Sequence, residues 1–158
     1  LSAETDWLRH TVATLAYRGG KVVQHAPSGF ADTRACESCR SAVQILAHIG
    51  DLLDWALSLA KGQQRWHDTE TGTWDDNVAR FFGGLKRLDD YLASGEPIHT
   101  PREKIFQGPI ADAMWHVGQL ATLRRIAGAP VRGENYFRAE IVIGRVGREQ
   151  STVRKEFD

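Results

Sequence analysis

The stretch SAVQILAHIGDLLDWALSLAK, residues 41–61, constrains the fold more than any other part of the chain. Ile45, Ile49, Leu52, Leu53, Ala56 and Leu59 recur at helical spacing and form a broad apolar arc. Such an arc predicts a long helix, from about Glu37 to Lys61, that must be buried against other helices.

Three further segments carry the same period. Ala3 to Arg18 places Trp7, Leu8, Val12, Leu15 and Ala16 on one face, and Gly19-Gly20 is expected to weaken or end that helix. Trp74 to Ala93 places Val78, Phe81, Phe82, Leu85, Leu88 and Leu92 together, closed by Gly95 and Pro97. Inside it, Gly83-Gly84 marks a close helix contact or a kink. Thr100-Pro101-Arg102-Glu103 has a capping-box pattern that predicts a short helical turn. Gly108-Pro109 then restarts a fourth long helix, running to about Ala127 and stopped by Gly128 and Pro130. The expected fold is all-α: an antiparallel four-helix bundle over residues 1–131, with residues 132–158 as an irregular tail packed on it. Ala139 to Ile143 has local β character, and the mixed charges of the tail predict a solvated segment.

Composition narrows the function classes. With 42% apolar and 25% charged residues the chain is a folded globular type, and its 158 residues suit a single domain. Twenty Lys and Arg balance twenty Asp and Glu, so no net field favours nucleic acid or anionic membranes as partners. No apolar run of about eighteen residues predicts a membrane span. Two cysteines are too few for a disulfide scaffold, and a cytoplasmic setting is expected.

Two polar groups sit where apolar ones belong. Asp112 and His116 are four residues apart in the fourth long helix, one turn plus about 40°, so both side chains reach one point. Their stripe continues through Gln119 and Leu123. His48 shares a stripe with Ile45, Leu52, Trp55 and Leu59. Taken alone, His48 reads as a core histidine satisfied by one hydrogen bond, and Asp112 as a first-turn carboxylate favoured by the helix dipole. Taken together, a bundle that turns both stripes inward buries a carboxylate and two imidazoles, which is costly unless something pairs them. A divalent metal supplies the pairing. Two nitrogens and one carboxylate suit zinc or nickel, and also iron or manganese, with coordination positions left open for water or substrate.

The pairing of ILAHIGDLLDWAL with DAMWHVGQLATLRRIAGAPV resembles the DinB/YfiT-like superfamily of metal-binding four-helix bundles. In that superfamily one His stands on the second helix and an H-x-x-x-H pair on the fourth, followed by G-Q-L and L-R-R-x-x-G. The resemblance runs from Ala3 to Val131 and implies His48, Asp112 and His116 as metal ligands. Asp112 stands where His is commoner, a substitution found in the branch resembling mycothiol-dependent maleylpyruvate isomerase. The resemblance further implies a homodimer, and a thiol transferase or isomerase acting on a small thiol and an electrophilic small molecule, or a related use of water.

Asp51 and Asp54 read either as acceptors for the imidazole N–H groups or as an exposed acidic edge, and Gln119 either orients a ligand or caps polar surface. Cys36-Glu37-Ser38-Cys39 is placed at the opening of the second helix, where the dipole lowers a thiol pKa and a C-x-x-C can be redox active, but it reads first as ordinary thiols open to adventitious oxidation, since neither a βαβ pattern nor a second C-x-x-C accompanies it. Glu96-Pro97-Ile98-His99 occurs once and in a loop, short of a di-iron pattern, and His10, His25 and His67 read as surface or loop residues. No H-E-x-x-H, G-x-S-x-G or P-loop is present. Two functions remain: a metal-dependent enzyme, and a non-catalytic metal-binding or stress-response module acting through oligomerisation.

Overall fold

The computed structural model describes residues 1–157; Asp158, the last residue of the expected tail, lies outside the described residues. The described residues form an all-helical protein. The long helices are α1 (Ala3–Val23), α2 (Ala42–Ala60) and α3 (Trp74–Ala93), followed by a short α4 (Arg102–Ile105), a π-helical turn over Phe106–Ile110, and α5 (Ala111–Ile126).

Sequence chemistry sets most of the boundaries. Ser2 caps α1 through Thr5 N–H, and Thr73 caps α3 through Asp76 N–H. Helix α2 starts at Ala42 and not near Glu37, because Ser41 and Gln44 form a reciprocal capping box that fixes its first turn. Helix α1 does not stop at Gly19-Gly20. A Cβ on Gly19 would lie 2.6 Å from Phe81 Cζ, so this glycine lets α1 and α3 approach closely. At Gly84 a Cβ would lie 3.1 Å from Leu53 Cβ, so Gly84 serves a close contact with α2 and marks no kink.

Two expectations about the fourth long helix also change. Thr100 does not cap α4; its hydroxyl donates to Leu59 O instead (2.8 Å). Gly108-Pro109 does not restart a helix, because both residues lie inside the π turn that joins α4 to α5 without a break. The wider turn accommodates a proline, which has no N–H to donate.

Helix α2 packs against α3 and α5, and α1 packs against the same two helices from the other side. The core between them is made of Leu8, Val12 and Leu15, Leu46, Ile49 and Leu53, Phe81, Leu85 and Leu88, and Ile110 and Leu120. Each large side chain removed from water there contributes roughly 2–3 kcal/mol. By length and composition α2 is apolar enough to cross a membrane, but 61% of that window is buried inside the fold.

The neighbours do not alternate in direction throughout. Gly19 meets Phe81 while Arg9 meets Asp89, so α1 and α3 run oppositely. His48 meets His116 while Trp55 meets Gly108, so α2 and α5 do too. Ala47 meets Arg80 and Asp54 meets Arg87, so α2 and α3 run the same way. The connection over residues 61–73 makes this possible. Thirteen extended residues reach roughly 43 Å, more than the roughly 28 Å length of a 19-residue helix.

The C-terminal segment is irregular, as expected, but Ala139 to Ile143 forms no strand; one bridge between Glu134 and Glu156 is the only β pairing among the described residues. Nor is the segment simply solvated. Glu134 is buried, accepting from Tyr17 Oη (2.9 Å) and Lys21 Nζ (2.8 Å), and Val146 joins the core.

Candidate metal centre

Antiparallel contact between α2 and α5 brings His48 opposite Asp112 and His116. His48 Nε2 lies 3.8 Å from Asp112 Oδ2, and His116 Nε2 lies 3.5 Å from Asp112 Oδ1. The two imidazole rings meet edge to face with centroids 4.7 Å apart. One donor atom from each residue lies within 4.8 Å of the others, so the three can hold a metal ion. Tetrahedral coordination with bonds of about 2.1 Å separates neighbouring ligand atoms by roughly 3.4 Å, and the three donors, all within 4.8 Å of one another, would draw together around an ion. Two imidazole nitrogens and a carboxylate oxygen are a donor set that suits a divalent transition ion.

The burial differs from the expectation that all three groups are enclosed. The imidazoles are largely covered, with side chains 18% and 13% exposed, whereas Asp112 is 47% exposed. The desolvation cost falls mainly on the histidines, while the carboxylate keeps one side toward solvent. Burial, the neighbouring His116 and Arg40 together hold His48 below the ordinary histidine range, against the opposing pull of Asp112 and Asp51. His48 is thereby biased to the neutral form that binds metals.

Gln119 orients one of the candidate ligands. His116 Nδ1 lies 2.9 Å from Gln119 Oε1. With the amide oxygen as acceptor, Nδ1 carries the proton and Nε2 keeps its lone pair facing Asp112 and His48. Of the two roles open to Gln119 in the sequence, the geometry selects orientation.

Asp51 and Asp54 take neither of the roles expected for them. Asp51 is buried and Asp54 half-buried, and both accept from Arg80 Nη2, at 2.6 and 2.7 Å, while Arg87 Nη2 donates to Asp54 at 3.0 Å. Burial pushes Asp51 up, but hydrogen bonds from Thr69 and Arg80 outweigh it and hold the carboxyl below its ordinary value. The imidazole next to these acids is His67, 3.7 and 3.6 Å away, not a member of the candidate cluster. Thr69 N–H and Oγ1 both donate to Asp51, so the carboxylate ties the connection over 61–73 onto α2.

The same connection carries Trp66, 43% exposed, to the edge of the cluster. Its ring sits edge to face with His48 at 5.7 Å and with Trp55 at 5.8 Å. Beside it, Trp55, Gln107, Gly108, Ala111, Asp112 and Trp115 line an open cleft of about 430 Å³. Asp112 thus belongs both to the cluster and to the cleft. The buried Nε1 of Trp55 has no hydrogen-bond partner among the described residues. Sequence reasoning passed over Trp66 and Arg80; a Trp-His pair in an otherwise polar connection was the available signal.

The remaining candidates stay apart. Cys36 and Cys39 lie in the loop before α2, not in its first turn, and are joined by a disulfide and not free thiols. Their closeness in sequence lets the irregular loop bring the two sulfurs together. His10, His25, His67 and His99 contribute no donor to the cluster. Comparison of the chain with protein families, curated proteins and solved structures finds no match.

Proposed function

We propose that this protein is a DinB-like metal-dependent enzyme that activates a small thiol, or water, against an electrophilic substrate. The observation that carries the reading is the convergence of His48, Asp112 and His116 within 4.8 Å beside an open aromatic cleft. A divalent ion held there, zinc or nickel first and iron or manganese next, would lower the pKa of a bound thiol and present it as a nucleophile.

The chain's own residues do the rest. His48, Asp112 and His116 supply three ligands, few enough to leave open positions. Gln119 fixes the His116 tautomer. Trp55 and Trp115 offer flat apolar walls for an electrophile, Trp66 packs against Trp55, and Gln107 adds an amide at the edge of the cleft. A cytoplasmic setting, where small thiols are abundant, belongs to the same proposal.

The test is elemental analysis of protein purified without a metal-affinity step. Thiol-conjugation assays follow, with glutathione, bacillithiol and mycothiol against activated aromatics and epoxides. Stoichiometric metal, and consumption of electrophile that needs both metal and thiol, support the reading. Equal rates for wild type and His48→Ala across the panel would overturn it.

A second reading has an observation of its own. Phe137 is 97% exposed and Ile126 57%, apolar side chains that a partner surface would cover. A non-catalytic metal-binding or stress-response module acting as a homodimer would cover such side chains. Metal without turnover, together with a dimer lost in Phe137→Ser, favours that function.

A further inference from the structure

A second cavity lies on the opposite side of α5 from the metal cluster, between α1, α5 and the segment after Pro130. Its volume is about 280 Å³. Its floor is aliphatic: Leu15, Val22 and Val117 are all nearly inaccessible, with Met114 and Ala121 alongside. Its rim is cationic, because the exposed Arg18, Arg125 and Arg132 all line it.

The nearby acids are already committed. Glu134 accepts from Tyr17 and Lys21, and Glu156 pairs with Arg132 at 3.0 Å. Arg18 is held by its guanidinium lying 4.1 Å from the centre of the Tyr136 ring, and neither it nor Arg125 is in an ion pair among the described residues. Stacking on an aromatic face orients a guanidinium while leaving its N–H donors free. On α5, Gly118 lines the same cavity, and a Cβ there would meet nothing within 4 Å. Two guanidiniums outside any ion pair among the described residues, above an aliphatic floor, suit a ligand with one anionic end and one apolar end.

We propose that this cavity binds a small organic carboxylate with an unbranched aliphatic tail. The carboxylate would be held by Arg18 and Arg125, which suit it because their planar forks can donate two parallel hydrogen bonds. The tail would lie on Leu15, Val22 and Val117. The volume sits just below the roughly 300–1,000 Å³ of drug-sized sites, so the tail is short. No metal ligand lines this cavity, so its occupancy stands apart from the activity proposed above.

Calorimetric titration of the whole chain with octanoate tests the proposal, with 1-octanol and inorganic phosphate as comparison probes. Octanoate is expected to bind saturably, one per chain, and more tightly than either comparison probe. Gly118→Leu, which places a side chain in open space, should weaken octanoate by about tenfold or more while the melting temperature holds or rises. The double variant Arg18→Gln, Arg125→Gln should weaken octanoate roughly tenfold and leave 1-octanol unchanged, the loss expected for charge-assisted hydrogen bonds at a partly solvated rim. Octanoate bound no better than octanol, or displaced equally well by phosphate, overturns the proposal. So does full affinity in a folded Gly118→Leu protein. Should that variant not fold, the arginine pair decides alone: unchanged octanoate affinity there overturns it too.

Discussion

His116 Nδ1 and Gln119 Oε1 lie 2.9 Å apart, less than one turn along α5. The contact fixes which ring nitrogen faces His48 and Asp112. A Gln119→Leu protein should keep its helical spectrum and bind zinc about 10- to 100-fold more weakly, the usual effect of removing a group that orients a ligand. His116→Ala should lose stoichiometric metal altogether. Titration of the apoprotein with zinc, read by calorimetry, checks both; equal affinity in Gln119→Leu and wild type would contradict the orienting role.

The cysteines should be dispensable for metal binding, since neither belongs to the cluster. A Cys36→Ser, Cys39→Ser protein is expected to retain its metal content. It should be less stable by about 2 kcal/mol, the loop-closure entropy of so short a crosslinked loop. Loss of metal in this variant would overturn the ligand assignment.

Gly19 and Gly118 on paper carry the same substitution cost, yet they should respond with opposite signs. In Gly19→Ala the new methyl group meets the fully buried Phe81 ring, and the overpacking should cost about 1–3 kcal/mol. In Gly118→Ala nothing is in the way, and the better helix former should add about 1 kcal/mol. Urea unfolding curves compare the two.

Asp51 makes stability depend on acid. Its folded-state pKa lies below the ordinary value, so the carboxylate's contribution is fully present above the unfolded pKa, about 3.9, and is lost as pH falls through the folded one. Asp51→Asn should therefore lower stability at neutral pH by about 2 kcal/mol, through the weakened contacts to Arg80 and Thr69. The variant should also lose part of the decline below about pH 4. Because Asp51 ties down the connection bearing Trp66, the quenching of Trp fluorescence by iodide should rise as well. An unchanged acid limb would show that the carboxylate is not held as described.

How much of this was legible in sequence differs by level. The apolar period placed four long helices, with α3 matched at both ends, because helical spacing and local caps are encoded over a few residues. The His48 and Asp112/His116 stripes were legible for the same reason: a polar side chain repeated on a buried face is a local anomaly. That Gly19-Gly20 would not stop α1 was illegible. A glycine pair reads as a breaker until Phe81, more than sixty residues away, is seen to need the space. The shared direction of α2 and α3 also escaped, since periodicity carries no sign and only packing decides which way a long connection returns. Asp51 and Asp54 looked available to the imidazoles because they lie close to His48 along α2. Only the fold supplied Arg80, a stronger and nearer partner. Sequence by itself thus determined the helices and the donors of the candidate site, since both rest on spacing along one chain. Tertiary structure alone decided the helix directions, the tie that sets Trp66 beside His48, and the arginine-rimmed cavity, since each depends on groups that meet only after the chain has folded.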